Sequence, residues 1–206
     1  MPSRDYHEAL WSSVPEGLQP SSFELRRRFL IDALNPGVRL LDIGCGEGHF
    51  GASAAEAGAE VVAADVAEEP LRRARALHPG LDVRLIDGEG EWALDDAGFD
   101  VVWAGEVIEH VADTASWLSE LRRVLRPGGR LILSTPLLGR RELLRAAVSG
   151  AVFAQRFEPR SDHLRHYNAA TLRALLSDFG FEGIAVRYAG PRAERLLLAS
   201  AVRSRF

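Results

Sequence analysis

The chain has 206 residues and no lysine: all 25 of its basic residues are arginines, set against 29 acidic ones for a net charge of −4. That balance provides no general positive field for drawing in a polyanion, so nucleic acid is not expected as a partner. Cys45 is the single cysteine, which excludes an internal disulfide and a cysteine-only metal site and fits a reducing cytoplasm. No apolar run reaches the roughly 20 residues of a membrane span. The first residues also lack the basic, apolar, small order of a secretory signal, and a cytoplasmic protein is the expectation. Repeats, low-complexity tracts and an interdomain linker are missing as well. Residues 1–206 therefore read as one domain with room for a full core. A lead-in and helix occupy 1–37, and an inserted segment lies over 138–160.

What the chain does contain is centred on Leu40-Leu41-Asp42-Ile43-Gly44-Cys45-Gly46-Glu47-Gly48-His49-Phe50. An apolar run ends in three glycines at alternate positions and a helical pattern follows, which reads as buried strand, tight turn and helix N-terminus. Glycines suit a place where a ligand must approach bare backbone. A dinucleotide fingerprint, G-x-G-x-x-G, seats pyrophosphate on the helix end. Here His49 stands where its last glycine belongs, and an acid, Asp42, lies two residues before the first. Such an acid repels a pyrophosphate and attracts the ammonium of an amino-acid-bearing nucleoside. Cys45 reads as a small filler of the turn and not as a nucleophile.

Strand and helix patterns then alternate. A strand over 60–64 delivers Asp65, 21 residues beyond Gly44, where a doubly wound sheet places the acid that grips a ribose. Asp65 also suits capping the helix over 67–77. A strand over 82–86 leads to Asp87-Gly88-Glu89, and one over 99–104 leads to Gly105-Glu106-Val107-Ile108-Glu109-His110. Asp113 or Thr114 caps the next helix, whose Leu118, Leu121, Val124 and Leu125 form a core stripe. A strand over 130–134 follows. The strand ends carry the polar residues, as they do where an open α/β sheet binds its ligands.

Before this core, residues 1–20 read as an irregular lead-in, with a lid over substrate as the alternative. Ser21 or Ser22 caps a helix in which Arg26-Arg27-Arg28 reads as a solvated face. After the core, Leu143, Leu144, Ala147, Val148, Ala151 and Val152 recur at helical spacing near several arginines. That segment, 138–157, suits peripheral contact with a membrane surface, a roof over an apolar pocket, or an ordinary packed helix. Asn168 caps a helix over 169–179, and two strands, 181–188 and 195–202, close the chain.

Glu106, Glu109 and His110 fall at i, i+3 and i+4, so on one helical turn they point the same way. Two hard oxygen donors and an imidazole suit Mg²⁺, Mn²⁺ or Zn²⁺, and His163 could complete the set. A surface cluster or a cap is the plainer alternative.

Taken together, the Asp42 glycine loop, Leu125-Arg126-Pro127-Gly128-Gly129, Glu106-x-x-Glu109-His110 and the later Asp162-His163 resemble the class I S-adenosylmethionine (SAM)-dependent methyltransferases. The similarity covers about Val38–Gly180. Two groups are nearest: the ubiquinone-biosynthesis O-methyltransferases, acting on catechol-like polyprenyl rings, and the small-RNA type, acting on a 3′-terminal 2′-hydroxyl. The resemblance implies an α/β, Rossmann-like seven-stranded sheet, mostly parallel, with a C-terminal antiparallel hairpin and helices on both faces. It implies SAM held by Asp42, Gly44, Cys45, Gly46, Gly48, Asp65, Val66, Asp87, Gly88, Glu89 and Glu106, with Asp87 facing the adenine. It also implies a divalent ion on Glu106, Glu109, His110 and His163, contacting hydroxyls of a small-molecule methyl acceptor. Without a metal, His110 or His163 is the natural general base, and the acceptor atom could then be nitrogen or carbon. A SAM-binding regulator without turnover and a nicotinamide-dependent oxidoreductase are the rivals; His49 argues against the second.

Overall fold

The first strand, β1 (Arg39–Ile43), is buried along both of its faces, as a strand must be when helices cover the sheet from two sides. In the computed structural model, which describes residues 3–88, 90–158, 162–191 and 195–205, β1 is an interior strand of a seven-stranded sheet. Its fellows are β2 (Glu60–Asp65), β3 (Asp82–Leu85), β4 (Phe99–Gly105), β5 (Leu125–Pro136), β6 (Phe181–Ala189) and β7 (Leu196–Arg203). The order is β3-β2-β1-β4-β5-β7-β6. Pairings among the first five strands are parallel. The last strand, β7, inserts antiparallel between β5 and β6.

Helices fill the crossovers: α1 (Ser3–Ser13), α2 (Phe23–Ile31), α3 (His49–Glu56), α4 (Glu68–Leu77), α5 (Thr114–Val124), α6 (Arg140–Val148), α7 (Gly150–Arg156) and α8 (Ala169–Asp178). On one face Leu41, Val102 and Leu131 pack against Leu118 and Leu121 of α5 and Leu172 of α8. On the other, Leu40, Val101 and Ile132 meet Leu30 of α2 and Phe50 and Ala54 of α3. The doubly wound architecture expected from the sequence is therefore the one observed, and it gathers the ends of β1, β2, β4 and β5 along one edge. Asp113 and Asn168 cap α5 and α8 through their side chains.

Three local readings need correction. The lead-in is not irregular, since Ser3–Ser13 is helical. Its anchors are distant in sequence: the Glu8 carboxylate accepts the N–H groups of Glu68 and Glu69 at 2.6 and 3.0 Å. The Arg73 guanidinium donates to the carbonyls of Trp11 and Val14 at 2.9 Å each. Ser22 precedes α2 in a left-handed conformation (φ 49°) and offers no side-chain cap; its carbonyl instead accepts the N–H of Arg26 at 3.1 Å. The inserted segment is two helices, broken where the Ser149 side chain caps α7. Leu144, Val148 and Phe153 point to solvent there, at 65%, 78% and 54% exposure. Among the described residues no helix is long and apolar enough to cross a membrane.

Candidate active site

Two cavities open along the ligand-bearing edge of the sheet. The first, about 620 Å³, is bounded by Asp65, Val66, Ile86 and Gly88 from the strand ends and by His7 and Trp11 of α1. The second, about 570 Å³, is bounded by Cys45, Gly46, Arg26, Glu109, Leu137 and His163. Trp11, Gly44, Glu106, His110 and Asp162 belong to both.

The glycine loop forms the floor. Gly44 has φ 67°, and a Cβ there would fall 2.5 Å from a methyl of Val107. A Cβ on Gly46 would fall 2.8 Å from the Trp11 ring. A side chain at either position would strain the backbone and have to displace Val107 or Trp11. Asp65, 6% exposed, accepts the N–H of Gly46 at 3.0 Å and that of Ala67 at 3.1 Å. Burial pushes its carboxyl up, and those backbone bonds oppose the shift. Asp65 therefore steadies the loop and the start of α4 while lining the first cavity.

Of the other residues expected at the cofactor, Gly44, Cys45, Gly46, Val66, Gly88 and Glu106 line one cavity or both. Asp42 and Gly48 line neither. Asp42 is buried beneath the loop, where burial above all pushes its carboxyl up to about 7, with the Asp65 charge adding to the shift. Its Oδ2 has no hydrogen-bond partner among the described residues. Gly48 packs against Leu81 below the loop. Asp87 turns toward Gly90, whose Cβ would lie 3.3 Å from its Oδ2. Glu89 lies outside the described residues. The Cys45 thiol is buried and pushed well up, by burial first, which fits a filler.

The Glu106–His110 stretch is a turn and not a helix, yet all three of its ionisable residues line the second cavity. Glu106 takes a left-handed backbone (φ 59°). Its Oε1 accepts from the Ser134 hydroxyl at 2.9 Å, and that hydroxyl accepts from Arg26 Nε at 3.0 Å. Burial raises the Glu106 carboxyl and the Arg26 charge opposes it. Glu109, 1% exposed, accepts from the Thr135 hydroxyl at 2.9 Å through Oε2, and its buried Oε1 has no hydrogen-bond partner among the described residues. Burial, then the neighbouring Glu106, pushes its carboxyl up to about 8.

His110 Nδ1 lies 3.0 Å from the Asp162 carbonyl. That acceptor requires the proton on Nδ1 and leaves the Nε2 lone pair outward. Nε2 is 3.9 Å from Glu109 Oε1, and the His163 ring sits edge-on to His110 at 4.8 Å. One donor atom each from Glu109, His110 and His163 fall within 4.8 Å of one another. Of the four expected metal ligands, these three converge within that distance, and Glu106 is held by the Ser134 hydroxyl that also binds Arg26. The turn is clamped from behind. The Glu109 carbonyl accepts the N–H groups of Leu164 and Arg165 at 2.8 and 3.2 Å, and the Arg165 guanidinium donates to the carbonyls of Val111 and Ala112.

Arg26 corrects a further reading. It is 2% exposed, stacks 4.6 Å over the Phe50 ring and faces the second cavity. A signal for this was present: position 26 lies three residues after Phe23 and four before Leu30, on the apolar stripe of α2. No sequence pattern marked Ser134, Thr135 or Trp11 as site residues.

A methyltransferase-domain family model matches residues 16–186. A ubiquinone biosynthesis O-methyltransferase of Ruegeria sp. is 41% identical over 145 residues, 68% of this chain and 58% of that protein. A probable SAM-dependent methyltransferase of Mycolicibacterium smegmatis is 36% identical over 152 residues, 71% of this chain and 52% of that one. The chain thus spans little more than half the length of the curated relatives it matches. Among solved structures, phosphoethanolamine N-methyltransferase 2 of Haemonchus contortus, in complex with SAM, superposes with a TM-score of 0.78. It shares 18% identity, over 99% of this chain and 60% of that one. With its glycine loop, its doubly wound sheet and this match, the chain belongs to the methyltransferase-domain family of class I SAM-dependent enzymes.

Proposed function

We propose that this chain transfers the methyl group of SAM to a hydroxyl of a small molecule. The observation that carries the reading is the wall common to both cavities, formed by Gly44, Glu106 and His110. A nucleoside on the Asp65 side then meets an acceptor on the His163 side at that wall. In this reading the ribose hydroxyls bind Asp65 and the adenine lies by Gly88. The zwitterionic amino-acid end suits the Arg26–Glu106 pair, one charge for each of its own. In the transfer the methyl carbon leaves sulfur as it bonds to the acceptor oxygen, which must lose its proton. Alignment of the two reactants by the protein can supply roughly 7–11 kcal/mol of the barrier.

Glu109, His110 and His163 suit a divalent ion, since an orphaned buried carboxylate oxygen beside two imidazoles is a donor set that Mn²⁺ or Zn²⁺ accepts. An ion there would lower the pKa of a hydroxyl bound to it. The metal-free alternative has its own support. With Nδ1 given to the Asp162 carbonyl, His110 Nε2 is oriented as a general base. The relatives' names point to acceptors of the ubiquinone-precursor kind. The outward Leu144, Val148 and Phe153 of α6 and α7 fit an apolar acceptor tail, or contact with the membrane surface that holds it.

The test is release of S-adenosylhomocysteine (SAH) from SAM in the presence of catechol acceptors, with and without EDTA. Acceptor-dependent SAH is expected. Loss of turnover in EDTA with SAH binding intact supports the ion, and full turnover in EDTA supports the His110 base. Failure to bind SAH in calorimetry overturns the whole reading.

A further inference from the structure

Two consecutive residues near the end of β5 meet different carboxylates of the Glu106–His110 turn. Ser134 and Thr135 are both fully buried, and successive side chains of a strand leave on opposite faces. The Ser134 hydroxyl donates to Glu106 and accepts from Arg26, while its carbonyl takes the N–H of Glu106 at 2.9 Å. One residue thereby holds the side chain of Glu106 and the left-handed backbone beneath it, a conformation that persists only where its surroundings fix it. The Thr135 hydroxyl instead occupies Oε2 of Glu109, which leaves Oε1 buried and open toward His110. Glu106 lines both cavities and Glu109 only the second. A buried carboxylate oxygen without a partner is costly, and its retention points to a ligand that completes it.

We propose that Ser134 and Thr135 are positioning residues that divide the two glutamates between two tasks. Ser134 turns Glu106, with Arg26, toward the amino-acid end of the cofactor. Thr135 pins one oxygen of Glu109 so that the other is presented, with His110 and His163, to a divalent ion on the acceptor side. The inference rests on the methyltransferase reading above and goes beyond it by separating residues that its motif groups together.

The experiment is crossed. SAH affinity is measured by calorimetry and Mn²⁺ affinity by electron paramagnetic resonance titration, both without acceptor, in the full chain and in Ser134→Ala and Thr135→Val. Ser134→Ala is expected to weaken SAH by about tenfold and leave Mn²⁺ within about twofold. Thr135→Val is expected to do the reverse, the usual size for losing a supporting hydrogen bond behind a ligand. Thr135→Ser, which restores the hydroxyl, should recover Mn²⁺ affinity. Equal losses of both ligands in each variant, or a pattern opposite to the expected one, overturn the division of tasks. Should either primary variant not fold, Ser134→Cys and the comparison of Thr135→Ser with Thr135→Ala decide by the same criterion. Wild-type chain that binds SAH but not Mn²⁺ overturns the Thr135 half alone, whereas wild-type chain that binds no SAH fails the methyltransferase reading itself.

Discussion

The two cavities differ in how their buried charges are treated. On the Asp65 side the acid is already satisfied by the N–H groups of Gly46 and Ala67, and Ile86, Trp92 and Trp117 make most of the surrounding wall apolar. The His163 side is lined by Arg26, Glu106, Glu109 and three histidines, and among the described residues Glu109 Oε1 finds no hydrogen-bond partner. The first is a finished receptacle whose shape selects a ligand. The second has a missing partner built into it, as a site does when it must act on what enters.

The largest effect should come from the residue that balances this charge. Arg26→Ala strands a buried Glu106 and is expected to lower stability by about 3–5 kcal/mol in urea unfolding. Glu106→Gln in the same chain should return part of that. A loss below about 1 kcal/mol would mean that Arg26 is not the counter-charge of this wall.

Next is Asp42, beneath the floor of both cavities. Its folded carboxyl titrates near 7 against an ordinary 3.8, so the folded chain keeps a proton that the unfolded chain has shed. Wild-type stability should therefore fall, relative to Asp42→Asn, as pH rises from 3.8 to about 7. The slope is at most about 1.4 kcal/mol per pH unit. Unfolding midpoints at the two ends of that window check it, and parallel curves for the two proteins would refute it.

Asp65→Ala sharpens the contrast. SAH affinity should drop tenfold or more, about 1.4 kcal/mol, by calorimetry, with Mn²⁺ affinity unchanged; a loss of both would show that the cavities are not separable. The smallest change is expected of Glu8→Ala, which removes the acceptor for the first N–H groups of α4. It should cost about 0.5–1 kcal/mol of stability and loosen α1, whose His7 lines only the Asp65 cavity and whose Trp11 lines both.

Physical reasons also decide what the sequence could disclose. Asp65 and Gly88 follow strands in a regular β-α alternation, so spacing alone brings them to the ligand edge. The alternating glycines declare themselves because a side chain at Gly44 or Gly46 would crowd Val107 or Trp11 in a left-handed backbone. The His163 side draws on α2, β5 and the loop before α8, joined by tertiary packing that leaves no period in the chain. Arg26 sat among two surface arginines, and its burial follows from the stripe of α2 and not from composition. The i, i+3, i+4 spacing of Glu106, Glu109 and His110 promised one shared direction only on a helix. The left-handed Glu106, tied to Ser134, makes the stretch a turn and leaves Glu106 outside the close Glu109–His110–His163 cluster. Helix α1 carries no strong apolar pattern, because partners some 60 residues away hold it in place.

That last attachment has a further meaning. The residue before α4, Ala67, has no side-chain group to offer the helix, and Glu8 supplies the acceptor from another part of the chain. The opening turn of α4 and the docking of α1 are consequently a single equilibrium, adjoining the strand end that bears Asp65. Whatever stiffens that corner must slow solvent exchange at the amides of α1, and an affinity handle fused ahead of α1 would be felt at the Asp65 cavity.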